Sequence, residues 1–437
     1  KDIIAGYEKF LDRWNFRKAF PTSEHLFRAL GLTCYQSWQN YMENARISDE
    51  LDFAAISGWE STAIENHSGI VDNLRNHKSD PELIRGSLLP IRPIAKQRSL
   101  AIEQGKPATF DLYLANDTSK PATGTLTFTM ITPSGKRQEL ITLPAPQQSP
   151  DVFSYLLKEA FTTPPLTEEG LYRFKFSISS TPLATQTKEL WVTQAESPDV
   201  ECYRLMRVGL SGISETTRHQ LSTLTRESCS QIEDFKPGEK YDLIISGGIT
   251  SHTSADTNIG ETTGEAMPVM KPGHTPEPGE TATPTQLGHL QHGILEAVAG
   301  GTPLLAIPQA DTLSEGVAHQ LASAGAFTYH GTVGDFRAPW MGNWYFVREH
   351  ALFAGLPTNC AMGSFYQIPG RPSNGLIVDG PNVEIIAAYS RDHDRNLGAG
   401  TFTTKLNNTK ILYHRIPDMH PVLQQRFLAN ALRWLTT

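Results

Sequence analysis

The hydrophobic periodicity of the chain changes twice, near residues 95 and 200. Before the first change, apolar side chains recur at helical spacing, which predicts amphipathic helices. Between the two changes, apolar and polar side chains alternate, which predicts antiparallel strands with one buried face. Beyond the second change, continuous apolar runs alternate with helical stretches, which indicates a parallel sheet covered on both faces. The chain of 437 residues is therefore predicted to have a multidomain fold of α/β and all-β parts.

The first segment, residues 1–90, has the pattern of one α/β unit. Apolar stripes predict helices before residue 50, with a second helix starting at Ser23 and a third apolar run starting at Tyr35. A short apolar strand is predicted at residues 53–56, and a further helix starts at Asp80. One such unit cannot bury a parallel strand on both sides, so we expect this segment to be the end of a larger domain.

Residues 91–197 are predicted to form an immunoglobulin-like β-sandwich. Strands with alternating side chains are expected at residues 109–114, 124–130 and 171–178. Residues 89–94 contain two prolines and are predicted to be a linker. The sandwich carries no catalytic grouping of side chains, so we interpret it as a spacer or packing module.

Residues 198–437 are predicted to form a doubly wound, flavodoxin-like α/β domain. The expected strands are residues 205–210, 241–248 and 302–307, and the expected helices are residues 216–224 and 287–299. Residues 250–285 are dense in Thr, Gly, Pro and Glu. This composition predicts no helix or strand, and so long a structureless segment is uncommon in the packed part of a compact domain. We therefore expect this insertion to be a mobile loop.

Charge and composition exclude several classes of function. The net charge is −8 and no basic stripe occurs, so a nucleic-acid partner is not expected. No apolar run reaches the roughly 18 to 20 residues of a membrane span. The sequence starts at Lys1 without an initiator Met or a signal-peptide pattern, which suggests a mature or truncated product. The four cysteines lack metal-type spacing, so no disulfide framework, metal site or cofactor is predicted.

The candidate binding site is the loop that follows the strand at residues 53–56. Its side chains are an indole, two carboxyl groups, an amide and an imidazole: Trp59, Glu60, Glu65, Asn66 and His67. An indole stacks on the apolar face of a pyranose, and carboxylates accept hydrogen bonds from its hydroxyls. The alternative is that these polar groups only satisfy the loop backbone, with Arg75 and other nearby charges forming local ion pairs. Glycosidic cleavage needs two flanking carboxyl groups, which makes Glu60 and Glu65 the candidate catalytic pair within this chain.

Two strand ends and several aromatic or imidazole groups are further candidates. Gly247 and Gly248 follow a strand and could cradle a phosphate, but no phosphate-binding motif follows them, which favours a tight turn that only Gly fits. Gln309 stands after a strand where a nucleophile elbow would hold Ser or Cys, which favours a non-catalytic domain. His289 and His292 are one helical turn apart, compatible with a metal or a solvated helix face. The aromatic patch that includes Trp344, Tyr345 and Phe346 could bind sugar or pack against the sandwich.

The sequence resembles the end of the catalytic barrel of glycoside hydrolase family 2, which holds β-galactosidases, β-glucuronidases and β-mannosidases. The resemblance rests on Tyr35-Gln36-Ser37-Trp38, Glu43-Asn44-Ala45-Arg46, Ile56-Ser57-Gly58-Trp59-Glu60 as the eighth barrel strand, and the run from Glu65 to Lys78. Residues 95–195 resemble the β-sandwich that follows this barrel. The last domain is similar to a class I glutamine-amidotransferase-like fold, mainly at residues 351–357 and 425–434.

The resemblance also assigns roles to residues of the loop. It implies that Trp59 is the aromatic residue under the terminal sugar, and that the acid/base and nucleophile glutamates precede the eighth strand and therefore precede this segment. Family β-glucuronidases hold the uronate with an Asn-Lys-Lys stretch at the position of Asn66-His67-Ser68. Both lysines are absent here, which argues against a glucuronide because Ser68 cannot supply positive charge.

The resemblance implies that the chain is the carboxyl-terminal portion of a retaining, β-galactosidase-like exo-β-glycosidase that hydrolyses terminal sugars of oligo- or polysaccharides. The chain alone is expected to be inactive, and its expected partners are the carbohydrate and the upstream barrel segment. A bacterial periplasmic or secreted location is expected. The alternative is a non-catalytic carbohydrate-binding or oligomerisation module that forms homo-oligomers.

Overall fold

The computed structural model describes residues 2–48, 50–51, 54–56, 58–61, 69–72, 74–118, 120–149, 151–194, 206–226, 231–250, 288–333, 343–362, 366, 375–391, 397–416 and 419–437. Within these ranges the fold is mixed α/β, with helices and strands arranged in several sheets. None of the helices in these ranges combines the length and hydropathy needed to cross a bilayer. The division into domains at residues 90 and 197 stays a prediction, so three segments are described in chain order.

The first segment contains three helices and one pair of short strands among its described residues. They are α1 (Asp2–Arg13), α2 (Ser23–Arg46), β1 (Glu60–Ser61), β2 (Val71–Asp72) and α3 (Pro81–Ser87). The second and third predicted apolar runs form the single helix α2, which starts after the N-cap residue Thr22. The helix predicted at Asp80 is confirmed, and the Asp80 carboxylate caps it by accepting a hydrogen bond from the Glu82 amide at 3.0 Å.

The strand predicted at residues 53–56 is not formed by residues 54–56, and Phe53 lies outside the described residues. The chain instead pairs further along, where β1 and β2 run parallel with Glu60 opposite Val71. An apolar run becomes a strand only where a neighbouring strand accepts its hydrogen bonds. Among the described residues of this segment, β1 and β2 are the only strands. Strand pairing therefore starts at Glu60, after the apolar run predicted to be the strand.

The middle segment consists of two antiparallel-rich sheets. Its strands are β3 (Ile91–Gln97), β4 (Ala101–Glu103), β5 (Thr109–Asn116), β6 (Thr125–Ile131), β7 (Arg137–Pro144), β8 (Ser154–Thr162), β9 (Gly170–Ile178) and β10 (Gln186–Thr193). One sheet has the order β4-β10-β9-β6-β7 and the other β3-β5-β8. The three predicted strands correspond to β5, β6 and β9 and are confirmed. Their inward side chains form one apolar core that includes Phe110, Phe128 and Phe174.

The predicted linker at residues 89–94 is wrong, because β3 begins at Ile91. Among the described strands, β3 lies at the edge of its sheet and pairs only with β5, where Pro93 stands opposite Leu114. An edge strand tolerates proline, since the missing amide proton would face away from the partner strand. The prolines therefore mark a sheet edge.

The last segment combines a parallel and an antiparallel half in one sheet. Its described elements are β11 (Arg207–Ser211), α4 (Glu215–Arg226), β12 (Gln231–Asp234), β13 (Leu243–Ser246), β14 (Ile249–Thr250), β15 (Gly288–His289), α5 (Ile294–Ala299), β16 (Leu304–Ala306), α6 (Asp311–Ser323), β17 (Thr328–Val333), β18 (Asn343–Val347), β19 (Cys360–Ala361), β20 (Gly375–Asp379), β21 (Glu384–Arg391), β22 (Gly398–Leu406), β23 (Thr409–His414) and α7 (Pro421–Thr436). The sheet order is β12-β11-β13-β16-β23-β22-β21-β18-β19, with β20 pairing to β17 and β22. The first five strands run parallel.

The three strands predicted in this segment match β11, β13 and β16, and the helix predicted at residues 216–224 matches α4. The helix predicted at residues 287–299 is too long, because its first part forms β15 and α5 starts only at Ile294. Gly293 has φ of 86° and therefore cannot continue a helix towards the N-terminus. The first residue of the predicted mobile insertion at residues 250–285, Thr250, is the last residue of β14. The rest of the insertion lies outside the described residues.

The first and last segments share one apolar core. Phe16 and Phe20 pack edge-on against Phe346 of β18, with ring centroids 5.3 Å and 5.7 Å away. The Tyr7 hydroxyl lies 2.6 Å from the Ser390 hydroxyl of β21, and both groups are buried. Helix α1 and the turn after it thus cover one face of the last sheet.

The first and middle segments are joined by buried charges. The Glu43 carboxylate of α2 accepts hydrogen bonds from Arg92 of β3 at 2.8 Å and from Lys188 of β10 at 2.9 Å. Gln186 of β10 donates to the same carboxylate at 2.6 Å. The Glu43 side chain is only 2% exposed. Burial alone would raise the pKa of Glu43, but the nearby Lys188 and Arg92 charges hold it below its usual value.

Candidate functional site

The loop that carries Trp59 is anchored to helix α2 through one buried tyrosine. The Tyr35 hydroxyl donates a hydrogen bond to the Ile70 carbonyl and accepts one from the Lys78 amide at 3.2 Å. The Tyr35 ring also stacks on Trp38, with centroids 5.7 Å apart. Burial raises the pKa of Tyr35, so its hydroxyl keeps its proton and remains a donor at neutral pH. The backbone around β2 is therefore held at a fixed position relative to α2.

Trp59 lies at the start of the β1–β2 pair with its side chain directed largely into solvent. The Val71 amide donates to the Trp59 carbonyl at 3.0 Å, which extends the pairing by one residue. The residue as a whole is 59% exposed. A large aromatic side chain on a hydrogen-bonded backbone offers a flat apolar surface at low entropic cost, which suits stacking on a sugar ring.

Glu60 follows directly and forms an exposed ion pair with Arg75. The alternative of a local ion pair is therefore confirmed for Arg75, whose partner is Glu60. The Asp72 carboxylate turns inward to its own loop and accepts hydrogen bonds from the Leu74 and Asn76 amides, both at 2.8 Å. Burial would raise the pKa of Asp72, but these hydrogen bonds outweigh it and lower the pKa. Of the Glu60 and Asp72 carboxylates, that of Glu60 is the one beside Trp59.

Three of the five predicted site residues, Glu65, Asn66 and His67, lie outside the described residues. Trp59 directly precedes Glu60, the first residue of β1, so the structure describes the aromatic and one acidic member of the predicted group. The separation of Glu60 from Glu65 is not described. The assignment of the five residues as a sugar site stays a prediction.

Replacing Tyr35 by Phe is expected to loosen the Trp59 loop while leaving the helix in place. The change removes one hydroxyl, which leaves the Ile70 carbonyl and the Lys78 amide without this partner. Lys78 is buried and Ile70 is half-buried, and loss of a hydrogen-bond partner at such backbone groups costs about 1–3 kcal/mol. Hydrogen exchange at Val71 and Lys78 should rise, and urea unfolding should show a loss of about that size.

Tyr41→Phe is the matched control, because Tyr41 is exposed on the same helix. It should change neither measurement. Equal exchange rates at Val71 in the Tyr35 variant and in the unmodified protein would show that the hydroxyl does not anchor the loop.

The carboxyl ends of the parallel strands in the last segment are closely packed. A Cβ atom on Gly247 would lie 2.1 Å from the Gly212 carbonyl oxygen, so these two turns are in backbone contact. The contact supports the tight-turn interpretation of Gly247 and Gly248. After β16, the Pro308 carbonyl accepts a hydrogen bond from the buried Arg415 guanidinium at 3.1 Å. The Gln309 side-chain amide, at the position where a nucleophile elbow would hold Ser or Cys, donates to the Ile307 carbonyl at 2.9 Å.

The remaining predicted candidates do not form a site among the described residues. In those ranges, no group of three His, Cys, Asp or Glu side chains could hold a metal ion, which leaves His289 and His292 without further ligands. Tyr345 and Phe346 are buried, and Phe346 packs against the first segment, not against the sandwich. The aromatic patch is therefore core at these two positions.

A cleft of about 630 Å³ lies between the first and last segments. Its lining includes Asn15 and Lys18 from the turn after α1, and His350, Thr358 and Asn359 from the chain between β18 and β19. No motif in the sequence marks these residues. Only the packing of α1 onto the last sheet brings them together, and no local pattern encodes a contact over so long a separation.

No protein-family model and no curated protein matches the sequence. A β-glucosidase from Listeria innocua is 13% identical with a TM-score of 0.19, and the match covers 23% of this chain and 16% of that protein. An alkylpurine DNA glycosylase from Pseudomonas fluorescens is 11% identical with a TM-score of 0.17, over 24% of this chain and 30% of that protein. A cycloisomaltooligosaccharide glucanotransferase from Paenibacillus sp. is 14% identical with a TM-score of 0.17, over 37% of this chain and 22% of that protein. This chain spans under a third of each of these proteins, and similarity at such TM-scores carries no argument about fold or function.

Proposed function

We propose that this chain is the carboxyl-terminal part of a retaining, β-galactosidase-like exo-β-glycosidase acting on terminal sugars of oligo- or polysaccharides. The observation that carries the proposal is the exposed indole of Trp59 on a loop fixed by Tyr35. The resemblance of this loop to the end of a family 2 barrel supplies the reaction class. The proposed role of Trp59 is to stack under the terminal pyranose.

Glu60 and the rest of the loop are proposed to line the sugar site, not to cleave the bond. A retaining enzyme needs a nucleophile and an acid/base carboxyl group about 5 Å apart. The Glu60 carboxylate is ion-paired with Arg75 in solvent, which suits hydrogen bonding to a sugar hydroxyl better than nucleophilic attack. The catalytic pair is proposed to belong to preceding barrel units, with a periplasmic or secreted location for the whole enzyme.

The middle and last segments are proposed to be accessory domains: an immunoglobulin-like sandwich over residues 91–197 and a non-catalytic, amidotransferase-like domain over residues 198–437. The five parallel strands of the last sheet follow the order 2-1-3-4-5 from its edge, as in flavodoxin-like sheets. Gln309 stands after β16 where a nucleophile elbow would hold Ser or Cys, which supports a non-catalytic role for this domain.

The test compares this chain with a polypeptide that also carries the preceding barrel units. The longer polypeptide should hydrolyse aryl β-galactosides, and this chain alone should not. In the longer polypeptide, Trp59→Ala should lower kcat/KM about thirtyfold, because loss of an aromatic anchor costs about 2 kcal/mol. Leu74→Ala is the control, since Leu74 is another exposed apolar residue of the same loop and should have no effect.

Turnover by the 437-residue chain itself would contradict the placement of the catalytic pair. The second candidate function is a non-catalytic carbohydrate-binding or oligomerisation module, which Gln309 in place of a Ser or Cys nucleophile favours. In that case Trp59→Ala would weaken sugar binding by this chain alone. Light scattering would also show a defined homo-oligomer that depends on residues 198–437.

A further inference from the structure

The cleft between the first and last segments has two walls that different contacts hold in place. One wall is the turn after α1, fixed by the packing of Phe16 and Phe20 on Phe346. The other wall is the 3₁₀ turn Ala351–Phe353 and the residues after it. Both walls are ordered by groups behind the cleft, so the cleft needs no closing motion to form. Ligand pockets are commonly preformed in this way at junctions between modules.

The backbone of the second wall is held from behind by two side chains. The Asn430 amide of α7 donates to the Leu352 carbonyl at 3.1 Å and to the Ala354 carbonyl at 2.9 Å. Trp191 of β10 donates to the Gly355 carbonyl at 2.9 Å. These carbonyls are thus already hydrogen-bonded on the far side. The side chains that line the cleft are left as its main hydrogen-bonding groups.

His350 contributes a neutral imidazole to the cleft. Its Nδ1 accepts a hydrogen bond from the Leu352 amide at 3.2 Å, which places the ring proton of the neutral form on Nε2. Burial lowers the pKa of His350, so the ring is uncharged at neutral pH. The Nε2–H group is the ring's remaining hydrogen-bond donor.

The charges around the cleft compensate one another. The Lys18 ammonium and the Glu349 carboxylate form an ion pair across the two walls. The Arg348 guanidinium is buried and donates to the Ile385 carbonyl at 3.1 Å and to the Glu384 carboxylate at 2.6 Å. A ligand therefore meets only paired charges among the described lining residues. Amide and hydroxyl groups dominate the remaining polar lining.

We propose that this cleft is a binding site for a neutral saccharide of one or two rings. Asn15 and Thr358 offer an amide and a hydroxyl group that both donate and accept, as sugar hydroxyls require. The Asn359 oxygen accepts a hydrogen bond from the Glu349 amide at 3.3 Å, which holds its side-chain amide in place as a donor. The volume of about 630 Å³ lies within the range of small-molecule sites. Lys18 is paired with Glu349 and Arg348 with Glu384, so the lining offers a charged ligand no uncompensated countercharge. The proposal uses other residues than Trp59 and holds or fails independently of the proposed glycosidase.

Calorimetric titration of the full 437-residue chain with cellobiose and lactose tests the proposal. We expect saturable binding in the millimolar range for at least one disaccharide. Thr358→Val, which keeps the side-chain shape and removes the hydroxyl, should weaken that binding severalfold. His350→Phe should weaken it about tenfold, corresponding to one lost hydrogen bond to the ligand. Circular dichroism confirms folding, and Thr358→Val carries the test where His350→Phe fails to fold.

Tyr41→Phe is the control, because Tyr41 is exposed on α2 and does not line the cleft, and it should leave disaccharide binding unchanged. Trp59→Ala is the variant that separates this site from the loop site. Glucuronic acid and glucosamine should bind more weakly than the neutral sugars. Absence of saturable binding would overturn the proposal, as would binding that survives both cleft substitutions. Binding lost in Trp59→Ala would assign the sugar to the loop and would equally reject the cleft.

Discussion

Replacing Glu43 by Gln is expected to destabilise the protein by about 3–5 kcal/mol, because it leaves two buried cations facing a neutral amide. The Arg92 and Lys188 side chains are 3% and 10% exposed, and both donate to the Glu43 carboxylate. At this degree of burial, water cannot solvate the Arg92 and Lys188 charges in place of the lost carboxylate. Urea unfolding followed by tryptophan fluorescence measures the loss, and hydrogen exchange should rise along β3, where Arg92 lies.

Glu24→Gln is the matched control, since Glu24 is an exposed glutamate of the same helix and its ion pair with Arg28 lies in solvent. Exposed ion pairs contribute roughly 0 to 1 kcal/mol, so this change should alter stability little. Adding Lys188→Met to Glu43→Gln should recover part of the loss, because the surplus buried charge is then removed. An unfolding midpoint in Glu43→Gln equal to that of Glu24→Gln would mean that the buried pair does not hold α2 against the sandwich.

The cluster of Glu43, Arg92 and Lys188 also makes the contact between the first and middle segments less stable at low pH. The pKa of Glu43 is lower in the folded protein than in the unfolded chain. Its contribution to stability is present above the unfolded value of 4.5 and is lost as pH falls through the folded pKa. In the sequence, Glu43 stood out only as part of the stretch that resembles family 2. In the structure it joins the first segment to the middle segment.

The local architecture could be predicted wherever it depends on neighbouring residues. Alternation identified β5, β6 and β9, since one face of each strand is buried in the sandwich core. Continuous apolar runs identified β11, β13 and β16, which are buried on both faces. The errors arose where a distant partner decides the outcome. Residues 54–56 form no strand although they are apolar, and Pro93 belongs to a strand because that strand lies at an edge.

The candidate site was predictable only in part for the same reason. An aromatic residue beside an acid is visible in the sequence, and the structure places Trp59 in solvent next to Glu60. The anchoring role of Tyr35 depends on contacts to Ile70 and Lys78 that no periodicity reveals. The cleft lined by Lys18 and His350 depends entirely on how α1 packs on the last sheet.

His414 makes the last segment sensitive to acid. Its ring is buried, lies 3.9 Å from the Phe427 ring by centroid, and is hydrogen-bonded to Thr401 at 2.8 Å. Burial, with a smaller effect of the Arg415 charge, lowers the pKa of His414 from 6.5 to about 3. Between these values the unfolded chain binds a proton that the folded protein does not. Stability therefore falls as pH decreases from 6.5 towards about 3.

We expect His414→Gln to reduce the pH dependence of unfolding by about 1 kcal/mol per pH unit between about pH 6 and pH 5. The variant will be less stable at neutral pH, because the contact with Phe427 is weakened, so the slope and not the absolute stability is the measurement. Urea unfolding across this pH range gives the slope. His219→Gln is the control, since His219 is exposed on α4 and should leave the slope unchanged. Equal slopes in His414→Gln and the unmodified protein would show that His414 takes up its proton in the folded state, and that its surroundings are more hydrated than the contacts to Phe427 and Thr401 imply.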